Sequence, residues 1–310
     1  MLDFNISPEK ISPPTIDSTF FEIELGDSNH KINAQLDLHS ESTTLVVAFH
    51  GSTKQSTTPY PVYQKKNLSK TLRSNVLSIA DPTLQHDKSL SLGWYLGFHD
   101  FPAQQILVSF FRQCIELYNF EKIVFMGASG GGFAALFYSW HFPSSVALVA
   151  NPQTILLSND NDDLPRMNRL QSVIEKNFRG YHEKLCLSVC DLYKSGFSNY
   201  VIYLQNGECT LDVQHHAAPF LNASTSATPE NVIMKIDYWG IKGHSGSVPF
   251  FEFLKWINAV NAVDEISTAE LYSHYFEAKQ NTKPEQLNKK NNGDRLLQIS
   301  EMLGTMQNPS

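Results

Sequence analysis

The stretch that most constrains how this chain can fold covers residues 122–136, KIVFMGASGGGFAAL. Ile123, Val124, Phe125 and Met126 form an apolar run with the length and composition of a buried strand. The run ends in Gly127-Ala128-Ser129-Gly130-Gly131, a G-x-S-x-G pattern, and passes into a helix-forming run from Phe133. A serine between a buried strand and a helix sits on a turn so tight that its own backbone is strained, and its hydroxyl is raised at the strand's end. The flanking glycines leave room for the helix to pack back onto the strand. A nucleotide-binding reading of the glycine run fails on detail. The run is not G-x-G-x-x-G in register, it lacks the G-K-[ST] of a P-loop, and it follows a middle strand.

The bulk properties narrow the partners. The chain has 310 residues, 42% of them apolar, enough for one large core or two modest ones. A net charge of −7 argues against nucleic acid or an anionic membrane surface as the main partner. No apolar run approaches the roughly 18 residues of a membrane span, and the start Met1-Leu2-Asp3-Phe4-Asn5 has neither a basic segment nor a following apolar one. The expected location is therefore cytoplasmic. Cys114, Cys186, Cys190 and Cys209 form no C-x-x-C pair and are too few for a disulfide framework, so reduced thiols are expected.

In chain order, a polar, proline-bearing lead-in precedes two antiparallel strands at 20–25 and 32–38. Residues 44–49 read as a central strand buried on both faces, and 75–80 as another. Residues 102–120 read as a helix whose apolar face includes Ile106, Phe110, Phe111 and Cys114. After the serine turn and its helix come a strand at 146–150, a helical insertion at about 160–198, and strands at 200–205 and 232–236. A helix is expected at 213–221, and a closing helix at 248–260 with Phe251, Leu254 and Ile257 facing inward. Asp160, Asp162 and Asp163 lack the glycine and the distant glutamate of a calcium loop, and read as helix capping. The expected layout is a main domain over 1–262 and a helical extension over 263–310. That extension has helices near 268–278 and 295–303, and reads as an appendage or a homo-oligomer contact.

Strands alternating with helices after an antiparallel start imply an α/β fold: a mostly parallel, doubly wound sheet with helices on both faces. Reactive groups in such sheets gather at the carboxyl ends of the strands. The residues there are His50-Gly51-Ser52, Asp81, Ser129, Asn151, Gly207-Glu208 and Gly243-His244-Ser245-Gly246. With GASGG at 127–131, HGS at 50–52 and GHSG at 243–246 in this order, the sequence resembles the α/β-hydrolase family over about residues 20–260. The resemblance implies Ser129 as nucleophile and His244 as the base that takes its proton. It implies oxyanion donors at the N–H of Gly130 and in the loop at Ser52 or Thr53, with His50 orienting that loop. It also implies an acid past the penultimate strand, at Glu208 or Asp212, with Asp163 a distant third. No cofactor and no metal are expected.

The expected activity is hydrolysis of a small or medium ester, acetyl groups on a carbohydrate among the substrates, through an acyl-enzyme. Acyl transfer on the same triad, a peptidase, and a non-catalytic hydrolase-like scaffold used for binding or assembly are the other readings. The Trp94-Tyr95 loop, Tyr238-Trp239 and the insertion are expected to wall the pocket.

Overall fold

The computed structural model describes residues 19–24, 31–63, 68–98, 101–157, 184–244 and 246–280. The chain enters through β1 (Thr19–Glu24) and β2 (Lys31–Asp37), which pair antiparallel. From there it alternates. β3 (Thr44–Phe49), α1 (Leu68–Leu72), β4 (Asn75–Ile79), α2 (Pro82–His86), α3 (Ala103–Tyr118), β5 (Lys122–Ala128), α4 (Gly130–Trp140) and β6 (Val146–Ala150) lead to the centre of the sheet. They are followed by α5 (Val189–Lys194), β7 (Tyr200–Asn206), α6 (Thr210–Asp212), α7 (Ala218–Thr225), β8 (Val232–Asp237), α8 (Phe250–Ala262) and α9 (Thr268–Gln280). The described residues form one 8-stranded sheet in the order β1-β2-β4-β3-β5-β6-β7-β8. β2 runs antiparallel to β4, and every pair from there to β8 is parallel.

The central strands are apolar throughout because successive side chains feed two separate cores. Leu45, Val47, Phe49 and Phe125 join the helices α3, α4, α5 and α7 on one face. Val46, Ala48, Val124 and Met126 join α1, α8 and α9 on the other. Helices α3 and α4 follow the expected pattern, with Ile106, Leu107, Phe110, Phe111 and Cys114 buried in α3. Helix α4 starts at Gly130, three residues before the expected Phe133. Among the described residues, no helix is long and apolar enough to cross a membrane.

Two helices differ in detail from their expected form. The run expected over 213–221 starts at Thr210 and widens into a π turn at Val213–Ala217 before α7. Pro219 has no N–H to donate into the ladder, and the π turn is where the hydrogen-bond pattern adjusts to that gap. In α8 the buried stripe is Phe250, Phe253, Trp256, Ile257 and Val260. Ile257 faces inward as expected and Leu254 is half-buried. Phe251, expected inward, is 43% exposed, because it falls one position off that stripe.

Helix α9 opens the stretch expected as an extension, and it packs on α8. Tyr275 stacks on Trp256 at 4.1 Å, and Leu271 is fully buried. The buried carboxylate of Glu252 accepts hydrogen bonds from the Tyr275 hydroxyl (2.7 Å) and from Lys235 (2.8 Å), so α9 is tied to α8 and β8 at one polar point. Residues 158–183, most of the expected insertion and with it Asp163, lie outside the described residues, as do 281–310. Leu271→Ala should lower stability by about 2–5 kcal/mol in urea unfolding, as for other buried leucines. An unchanged midpoint would contradict the docking of α9.

Candidate active site

Ser129 is where β5 becomes α4. Its backbone lies at φ 54°, ψ −122°, a conformation that costs a residue with a side chain about 1–3 kcal/mol. Four backbone bonds hold it there. Its N–H donates to the Ala150 carbonyl (3.0 Å), and its carbonyl accepts from Gly132, Phe133 and Gln153 at 3.0–3.2 Å. The glycines are a steric necessity. A β-carbon on Gly127 would stand 2.2 Å from the Gly131 carbonyl oxygen, and one on Gly131 would stand 2.6 Å from that of Phe49. The serine side chain itself is half-exposed at the strand's end.

The loop after β3 presses against this turn. A β-carbon on Gly51 would lie 3.3 Å from the Ala128 carbonyl oxygen and 3.8 Å from the Ser129 β-carbon. Buried His50 sets the loop's path: its Nδ1–H donates to the Gly51 carbonyl (2.8 Å) and its Nε2 accepts from the Asp81 N–H (3.3 Å). Both contacts suit a neutral ring, and burial holds the His50 pKa below its usual value. In a trans peptide the C=O and N–H point opposite ways. Tethering the Gly51 carbonyl to His50 therefore turns the Ser52 N–H in the other direction. Among the described residues the N–H groups of Ser52 and Gly130 meet no protein acceptor. Thr53, the other expected donor, is already engaged, donating to the Ser91 carbonyl at 2.7 Å.

The Trp94-Tyr95 loop supports the loop after β3 from within the core. Tyr95 is fully buried, and its hydroxyl accepts from the His50 N–H (2.8 Å) and donates to the Ile79 carbonyl (3.2 Å). The Trp94 indole N–H donates to Gln153 at 2.5 Å. Buried Asp81 accepts from the Gly93 N–H (2.8 Å) and the Thr83 N–H (3.0 Å). Burial pushes its carboxyl above the usual range, against the pull of His50 and these donors. Nothing local in the sequence distinguished this buried polar clamp from a pocket lining. Of the other expected wall residues, Tyr238 is 51% exposed and Trp239 packs against the α8 side of the core.

Past β7 the two carboxylates part company. The Asp212 carboxylate accepts a hydrogen bond from Nδ1 of His244. Asp212 makes no side-chain capping bond to the following turn, the structural role its position allows. Burial raises its pKa, but the His244 bond and charge, with the Cys209 thiol, outweigh this and leave it below the usual carboxylate value. Glu208 does not reach the imidazole. It accepts from the Gly243 N–H (3.1 Å), faces Lys242 at 3.6 Å, and so braces the loop carrying His244.

Two asparagines complete that brace, and neither had been given a role. Asn151 donates to the His244 carbonyl (3.0 Å) and the Ser247 hydroxyl (2.8 Å), and accepts from the Asn206 N–H (2.7 Å). Asn206 in turn donates to the carbonyls of Ile241 and Gly243 at 3.1 and 2.9 Å. Asn151 directly follows Ala150, which anchors the Ser129 N–H, so the serine turn and the histidine loop hang from one strand end. Asn151 was visible as a polar residue at that end; its partners lie far along the chain. Among the described residues the Nε2 of His244 is buried without a hydrogen-bond partner, so the Ser129 hydroxyl is not bonded to it here. His216 is a structural residue, its Nδ1 accepting from the Thr154 N–H at 3.2 Å. A depression of about 730 Å³ lined by Thr44, Arg73, Lys122 and Asn261 lies at the opposite, amino ends of the strands and holds none of these groups.

No protein-family model matches the chain, and no curated protein matches it. Solved structures do. Mycobacterium tuberculosis MPT51 superposes with a TM-score of 0.50 at 10% identity, over 80% of this chain and 98% of that one. Prolyl oligopeptidase B from Galerina marginata gives 0.50 at 12% identity, over 85% of this chain and 37% of that one. The capsule O-acetyltransferase of Neisseria meningitidis serogroup A gives 0.48 at 14% identity, over 84% of this chain and 92% of that one. The chain has the α/β-hydrolase fold.

The β5–α4 turn leaves no room for a side chain at Gly127, where a β-carbon would overlap the Gly131 backbone. Gly127→Ala should therefore cost about 1–3 kcal/mol or more, the range for overpacking. A urea midpoint equal to wild type would contradict the close approach of β5 and α4.

Proposed function

We propose that this chain is a serine hydrolase that cleaves a carboxylic ester through an acyl-enzyme. The observation that carries the reading is the hydrogen bond from His244 Nδ1 to Asp212, at the same sheet edge as a serine held at φ 54°. A carboxylate on Nδ1 holds the imidazole in the tautomer whose Nε2 is free to accept a proton, and stabilises the imidazolium once formed. Among the described residues that Nε2 has no hydrogen-bond partner.

In the first half-reaction the Ser129 hydroxyl swings to Nε2, gives up its proton there and attacks the ester carbonyl. The N–H groups of Gly130 and Ser52 hold the oxyanion. As the tetrahedral adduct collapses, the proton on Nε2 passes to the departing alcohol oxygen. Water then attacks the acyl-serine with the same proton path, and the acid leaves. The Leu92 side chain packs so closely on Gly130 that a β-carbon there would be 2.3 Å from it. This apolar surface beside the first oxyanion donor supports a small or medium acyl group, acetyl on a carbohydrate among the candidates. Asp212 is the acid in this reading, and Glu208 a brace of the histidine loop.

Kinetics on p-nitrophenyl acetate test the assignment. Asp212→Asn should lower kcat by about 10⁴-fold, because it leaves the imidazole in the wrong tautomer. Glu208→Gln keeps the loop contact and should stay within about tenfold, since one exposed polar contact is worth about 1 kcal/mol. The reverse order of effects would transfer the acid role to Glu208. Absence of turnover by wild type on a panel of short esters would remove the hydrolase reading.

A further inference from the structure

Beside the proposed triad stands a side chain that the reaction does not use. The Cys209 thiol, the Asp212 carboxylate and a ring nitrogen of His244 lie within 4.8 Å of one another. A thiol, a carboxylate and an imidazole are the three ligand types that zinc takes. Zinc–ligand bonds of about 2.0–2.3 Å in a tetrahedron put ligand atoms roughly 3.3–3.8 Å apart. The cluster therefore needs shifts of about an ångström to close on an ion.

The surroundings permit those shifts. The side chains of His244 and Asp212 are 14% and 10% exposed, and Cys209 is only half-buried, so an ion has a way in. Gly243 and Gly246 flank the histidine at φ 80° and 64°, with nothing within 4 Å of where a β-carbon would stand. Asn151 and Asn206 hold the His244 and Gly243 carbonyls in place, so the shifts fall to the side chains of Cys209, Asp212 and His244.

We infer that Cys209, Asp212 and His244 form a site for a thiophilic divalent cation, with zinc its best-matched occupant, and that an ion there switches the hydrolase off. Binding replaces the Nδ1–H···carboxylate bond by two metal bonds. The thiol proton leaves to solvent and the imidazole proton moves from Nδ1 to Nε2. An Nε2 that carries a proton cannot accept another from Ser129. The open fourth position is left to water. The inhibitory consequence rests on the hydrolase reading; the binding does not. No metal is expected from sequence because Cys209-x-x-Asp212 matches no zinc pattern and the third ligand comes from a loop 32 positions away.

Titration of tag-free full-length protein with Zn²⁺ alone, followed calorimetrically, should give one site per chain. Co²⁺ in its place should show thiolate-to-metal charge-transfer absorption. Cys209→Ser, which keeps a hydroxyl beside Asp212, should weaken Zn²⁺ binding by roughly 100-fold, the upper end for loss of even a supporting group, and abolish the Co²⁺ band. Unchanged thermal melting of the metal-free variant would show that it folds. Binding that is undiminished in Cys209→Ser, or absent in wild type, overturns the site. Zinc binding that slows fluorophosphonate labelling in wild type but not in Cys209→Ser supports the switch. Zinc binding at full labelling rate overturns the switch and leaves the site standing. A protein that binds zinc yet is never labelled keeps the site and loses the hydrolase reading.

Discussion

The architecture depends on how closely β5 and α4 approach at Ser129. The helix packs back on its own strand with backbone against backbone, Gly127 against the Gly131 carbonyl and Gly131 against that of Phe49. No side chain fits in that gap. The turn this forces on Ser129 is unfavourable by itself and persists because four backbone hydrogen bonds and two apolar cores over-determine it. The same packing starts α4 at Gly130, whose N–H has no intrahelical partner and meets no acceptor among the described residues. Strain, helix start and candidate oxyanion donor are three consequences of one steric fact.

Around this turn the fold uses buried polar side chains as braces. On one side, His50, Asp81 and Tyr95 fix the loop after β3 by bonding to backbone. On the other, Asn151 and Asn206 fix the loop that carries His244. Groups of this kind are costly to bury and stabilise only when their bonds are complete. Their placement at the carboxyl ends of the strands is therefore informative: the sheet spends stability there on position. Asp212 stands within this scaffold, with its carboxylate shared between the His244 ring and the Cys209 thiol. That sharing lets one cluster present either a proton relay or a metal ligand set.

Much of this was legible in sequence because it is local. The elbow announces itself through composition alone, since a buried strand, five residues of G-x-S-x-G and a helix cannot be joined many ways. The two-faced strands are legible for the same reason, being apolar at every position. What was not legible depends on contacts between distant residues. Glu208 and Asp212 are four positions apart, and the helical turn from Thr210 aims Asp212 alone at His244 while Glu208 reaches the backbone of Gly243. The role of Trp94-Tyr95 was hidden because aromatics serve cores and pockets equally well, and only the bonds to His50 and Gln153 separate the two. Phe251 was assigned to the wrong face because an apolar helix with several adjacent aromatics offers more than one stripe.

The central claim is that the strained serine is the group that attacks. Its most direct test is to treat the purified protein with a fluorophosphonate, digest it, and locate the phosphonylated residue by peptide mass spectrometry. The account predicts one adduct, on Ser129, that is lost in Ser129→Ala and slowed in Asp212→Asn. An adduct on another residue, or stoichiometric modification that persists in Ser129→Ala, would contradict it.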